Sequence, residues 1–123
     1  MKLLLWVGVG GFFGSMARYG ISLYAQRWWP GFFPWGTLLA NVLGCLLIGV
    51  FLVLAARQQW ELPTKLLLAT GFCGGFTTFS TFSYESLLLL REGRPGGALL
   101  YMGVSLGLGL LATAAGMWLG RQW

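Results

Sequence analysis

The stretch Gly71-Phe72-Cys73-Gly74-Gly75-Phe76-Thr77-Thr78-Phe79-Ser80-Thr81-Phe82 interrupts what is otherwise a long apolar segment. Adjacent glycines followed by adjacent threonines make poor helix interior. Glycine carries a large backbone-entropy penalty, and the β-branch of threonine crowds the preceding turn. A helix that gives way here leaves amide and carbonyl groups unpaired. Within hydrocarbon such groups are tolerated only where protein or a wet cavity supplies partners. Discontinuous helices near the bilayer midplane are a recurrent way to build an ion site. The stretch therefore predicts a membrane helix broken at mid-membrane, with the chemistry gathered at the break.

Composition agrees with a membrane setting. The chain has 123 residues, 57% hydrophobic and only 9% charged, with mean hydropathy +0.73; a soluble domain carries about 25% charged residues. Four apolar segments stand out, spanning roughly residues 3–25, 35–56, 65–90 and 97–119. Each reaches the roughly 20 helical residues that cross a hydrocarbon core. The alternating runs of about 10 residues that mark membrane strands are absent. Residues 1–123 thus read as a single, multi-pass, all-α membrane domain with four transmembrane helices. Lys2 and the apolar run after it superficially resemble a signal peptide, but the run resumes beyond Arg18 through Ile21 and Leu23. Trp6, Trp28, Trp29, Trp35, Trp60, Trp118 and Trp123 all lie near segment ends, where indoles favour the headgroup level.

The net charge of +5 comes from basic residues scattered over short loops, with no cluster or stripe that would suit nucleic acid. Four spans place both termini on one side, with Lys2, Arg57, Lys65 and Arg121. Arg27, Arg91 and Arg94 lie on the other, and Arg18 is nearest to it. Orientation follows Lys/Arg bias, and here there is almost none. Either unseen details orient the chain, or it inserts both ways and forms an antiparallel homodimer. The chain has no histidine, no nucleophile–base pairing and no metal-ligand spacing, so an enzyme is not expected. Cys45 and Cys73 read as small packing residues. A proton-coupled drug exporter would need an acidic residue in segment one, which has none. A non-conducting assembly subunit would leave the interruption and Asn41 unexplained.

Asn41 is the sole asparagine and sits inside segment two, sharing a face with Thr37 and Cys45. A carboxamide there serves either as glue between helices or as an NH₂ donor to a passing anion. Phe76, Phe79 and Phe82 recur every third residue. An aromatic stripe commonly packs, but phenyl edges are electropositive and can receive an anion. Tyr101 and Ser105 share one face of segment four and offer hydroxyls for a polar track. Ser80, Thr81, Ser83 and Thr113 are further donors whose facing the sequence leaves open. Arg18 belongs either to an electropositive vestibule or to an ion pair with Glu85, whose role is read as structural.

The opening stretch resembles the signature of the Fluc (CrcB-type) fluoride channels. Two other pieces agree: Gly10-Gly11-Phe12-Phe13-Gly14-Ser15-Met16-Ala17-Arg18-Tyr19 and Gly36-Thr37-Leu38-Leu39-Ala40-Asn41-Val42-Leu43-Gly44. The resemblance covers essentially the whole chain. It implies a dual-topology, antiparallel homodimer in the cell inner membrane that exports fluoride passively through two pathways. It favours Asn41 as an anion donor and implies that Phe79 and Phe82, but not Phe76, line the pore. It implies that the backbone carbonyls of Gly74 and Thr77 from both subunits bind a structural sodium ion at the dimer centre. Gly109 departs from the pattern, because this family often has a hydroxyl there. Thr113, one turn on, is the candidate replacement.

Overall fold

A computed structural model describes all 123 residues. It is entirely helical. Helix α1 runs Lys2–Trp28 and α2 runs Trp35–Arg57. The third rod is composite: α3 (Leu62–Lys65), a π-helical stretch (Leu66–Cys73) and α4 (Gly74–Phe76). After two extended residues, α5 (Phe79–Arg91) continues it, and α6 runs Pro95–Gly120. Pro63 and Pro95 stand in first turns, where a missing N–H leaves nothing unpaired.

The apolar segments are found as helices whose ends lie within a few residues of those read from the sequence. Two of them, α2 and α6, are long and apolar enough to cross a membrane. The first is long as well, at 27 residues, but glycines and three basic residues dilute it. The third rod is divided, so no single piece of it has the length.

Two backbone-to-backbone seams hold the rods. Along the first, α1 lies against the π-helical stretch and α4. A Cβ placed on Gly75 would come within 2.6 Å of the Gly11 carbonyl oxygen, and one on Gly71 within 2.6 Å of that of Val7. Along the second, α2 lies against α6, where Gly116 meets the main chain of Leu46 and Val50. Small residues let helices approach closely where lipid provides no hydrophobic drive between them.

Only 19 of the 123 residues are buried. A small core of Leu38, Leu89, Ala98 and Tyr101 joins α2, α5 and α6. Most large apolar side chains instead face outward along the rods. A contiguous apolar exterior of this kind needs lipid or another chain against it.

Candidate functional site

The interruption falls at Thr77 and Thr78, both extended, with φ/ψ of −92°/157° and −149°/120°. The glycine pair does not cause it. Gly74 and Gly75 are helical, and Gly75 serves the close approach to Gly11 rather than a left-handed turn. The two threonines are the residues that unwind. Thr77 ends the first part by returning both its N–H (3.0 Å) and its hydroxyl (2.9 Å) to the Cys73 carbonyl. Thr78 starts α5 as its N-cap: its Oγ1 accepts from the Thr81 N–H at 3.2 Å. A threonine cap of this kind contributes about 1 kcal/mol.

The peptide groups of Thr78 find their partner across the bundle. Asn41 accepts the Thr78 N–H through Oδ1 at 2.8 Å and donates through Nδ2 to the Thr78 carbonyl at 3.1 Å. One side chain on α2 therefore replaces two main-chain partners lost at the break. The Nδ2 group has two N–H donors, and the second makes no bond within the chain. From α1, Arg18 Nε donates to the Gly75 carbonyl at 3.1 Å. Arg18 thus braces the same interruption from α1. Glu85 takes its bond from the Tyr101 hydroxyl at 3.1 Å instead. The Thr77 carbonyl, outside the helices, receives no backbone N–H, and a Cβ on Gly74 would meet open space. Free carbonyl oxygens beside open space are a donor set suited to a hard cation such as sodium.

An open groove of about 520 Å³ lies beside the break. Asn41, Gly74, Thr77, Phe79, Phe82 and Ser105 all line it. The groove therefore gathers most of the residues singled out from sequence, from α2, the composite rod and α6. Phe79 is 77% exposed and its ring lies 5.9 Å from that of Phe82. Ser105 Oγ is buried without any hydrogen-bond partner. A buried hydroxyl in that state lacks a solvation it would have in water, at about 1–3 kcal/mol. It is an unspent donor on a residue that lines the groove.

Other candidates stand elsewhere. Tyr101 does not line the groove. It is fully buried, with its ring 5.2 Å from that of Phe82 and its hydroxyl committed to Glu85. Phe76 is buried and stacked on Phe72 at 5.6 Å. Thr113 donates to the Gly109 carbonyl at 3.0 Å, so its proton is spent within α6. Thr81 bonds to Thr78 at 3.1 Å and Ser80 lies 3.3 Å from it. Thr70, on the π-helical stretch, also lines the groove. It escaped the sequence reading because a π-helix turns its residues onto a different face from an α-helix, and nothing in the local sequence announces one.

Residues 5–117 match the model of the family described as "CrcB-like protein, Camphor Resistance (CrcB)". The chain belongs to the CrcB family. It is 48% identical over 116 residues to the fluoride-specific ion channel FluC of Salinibacter ruber, covering 94% of this chain and 87% of that protein. It is 45% identical over 119 residues to FluC of Phocaeicola vulgatus, covering 97% and 98%. To FluC of Acidobacterium capsulatum it is 44% identical over 119 residues, covering 96% and 95%. The match to the CrcB family takes in most of α1, all of α2, the whole interrupted rod and most of α6, so every residue bordering the groove lies inside it.

Proposed function

We propose that this chain is a fluoride-specific passive channel that exports fluoride across the cell inner membrane and lowers its cytoplasmic level. The reading rests on the kinship with fluoride-specific channels over nearly the whole length of both proteins. The observation that gives it a mechanism is the set of unspent donors around one groove: the buried Ser105 hydroxyl, the second Asn41 N–H and the edges of Phe79 and Phe82. Fluoride is small and strongly hydrated. A conducting path has to replace its water with several weak donors, since one strong site would hold the ion. Amide, hydroxyl and phenyl-edge groups meet that requirement. No lysine or arginine lines the groove to trap the anion. Arg18 does not line the groove, so it gives an electropositive approach without a charge in the path.

In this proposal the four rods cross the bilayer and the interruption lies near its midplane. Two antiparallel copies meet there, which covers the open side of the groove and the exposed Phe79. Tyr101 then acts through Phe82 and Glu85: it fixes the tilt of the Phe82 ring rather than touching the anion from the groove itself. The carbonyls of Gly74 and Thr77 from both copies would hold a sodium ion, which supplies fixed positive charge at the dimer centre.

The deciding experiment is anion efflux from liposomes containing the purified protein. Fast fluoride efflux with negligible chloride efflux is expected. Phe79→Ile or Phe82→Ile should slow fluoride by about tenfold or more, equivalent to about 1.4 kcal/mol in barrier, with the oligomer intact. Normal flux through both variants overturns the phenyl-edge mechanism. Asn41→Asp should also slow efflux, because it places a like charge beside the path. Labelling a C-terminal tag from each side of the membrane tests the topology, and a single orientation in every molecule excludes the antiparallel pair.

A further inference from the structure

A second groove, of about 570 Å³, runs along α2 and α6 toward their C-terminal ends and takes no part in the pathway above. Its walls include Ile48, Leu52, Val53 and Met117, and Arg57 and Arg121 stand among its lining residues. From Ile48 to Arg57 a helix rises about 14 Å. Half of a hydrocarbon core about 30 Å thick is about 15 Å. The groove is therefore about one leaflet deep, with Arg57 at the level where headgroups lie. Trp118, on the same turn of α6, is exposed and suits that level.

The first of these arginines is held in place. Arg57 Nη1 donates to the Arg121 carbonyl at 2.5 Å, which fixes its guanidinium across the end of α6. That bond uses one of five N–H donors. The guanidinium of Arg121 makes no hydrogen bond within the chain. No acidic residue lines the groove. Capping the last turn of α6 would require Arg57 alone and would explain neither Arg121 nor the slot beneath. An apolar slot one leaflet deep under two guanidinium groups, neither paired with a carboxylate, matches one chemistry: an acyl chain joined to a phosphate.

We propose that this groove binds an anionic phospholipid, with its phosphate between Arg57 and Arg121 and one acyl chain along Ile48, Leu52 and Met117. The inference rests on α2 and α6 crossing the bilayer and is independent of which ion the protein conducts. Native mass spectrometry of the purified protein, offered phosphatidylglycerol or phosphatidylcholine, tests it. Wild type should retain phosphatidylglycerol with a roughly tenfold or greater preference, since each arginine at a membrane surface favours an anionic lipid severalfold. The preference should fall in R57Q/R121Q and in Arg121→Gln alone, which leaves the Arg57 clamp in place. Leu52→Trp, which fills the slot, should displace lipid without changing net charge. Fluoride efflux should persist in all three variants, so loss of lipid preference and loss of conduction are separate readouts. Equal retention of both lipids by wild type overturns the proposal. So does competition by millimolar inorganic phosphate, which would make the site one for free anions. Dissociation of the oligomer by Leu52→Trp also overturns it, because a second copy would then fill the groove.

Discussion

Along the seam between α2 and α6, main chain lies directly on main chain. At Thr77 and Thr78 the main chain is out of helical register and side chains reach in from two neighbouring helices to serve it. Apart from the Arg57 bond at its end, the seam is held by packing, and its requirement is the absence of a Cβ at positions such as Gly116. The break has room, including an open groove, and its requirement is polar: Asn41, Arg18 and the Thr78 hydroxyl each supply a specific bond. The seam should therefore be intolerant of volume and the break intolerant of lost donors. An ion path belongs beside the second kind of region, because there uncharged, unspent donors are kept near open space.

The sharpest way to break this comparison is Asn41→Ala. It leaves the Thr78 N–H and C=O both unpaired, at an expected loss of about 2–4 kcal/mol. The thermal midpoint in detergent should drop and fluoride efflux should cease. An unchanged midpoint would mean that water or lipid serves Thr78 instead. Next in size is Gly116→Ala. The new methyl would collide with the Leu46 carbonyl, and forcing the helices apart costs about 1–3 kcal/mol, read as a lower midpoint. Thr78→Ala removes the cap on Thr81 and should lower stability by about 1 kcal/mol, while Thr78→Ser should restore it. The smallest effect is expected from Gly8→Ala. A Cβ there meets nothing within 4 Å, so better helix propensity should leave stability equal or raise it by up to about 1 kcal/mol. A large loss at Gly8 would show that volume is restricted by something beyond the single chain.

Much of the fold was legible because apolar runs bounded by prolines, glycines and tryptophans leave few alternatives to helices. The interruption was legible as a region but not as a position. Glycines and threonines both weaken a helix, and only the packing of α1 on Gly71 and Gly75 keeps the glycines helical while the threonines unwind. The role of Asn41 was open between glue and donor. Its two bonds to Thr78 make it a splint for the break, and one N–H is left over for the proposed anion path. Tyr101 and Ser105 share a helix face in sequence yet part company in space, because Glu85 on α5 claims the tyrosine hydroxyl. Arg18 was open between a vestibule charge and an ion pair with Glu85, and the structure bonds it to the Gly75 carbonyl.

The amino-acid sequence by itself determined that this protein is helical and apolar, that its third rod carries a weak point, and which residue types are available there as donors. These follow from propensity and hydropathy, which are properties of neighbours along the chain. The tertiary structure decided where the rod unwinds, which carbonyls are left free and which hydroxyl stays unspent. Those depend on partners 37 and 57 residues away, and a hydrogen bond is satisfied by whatever stands opposite in space.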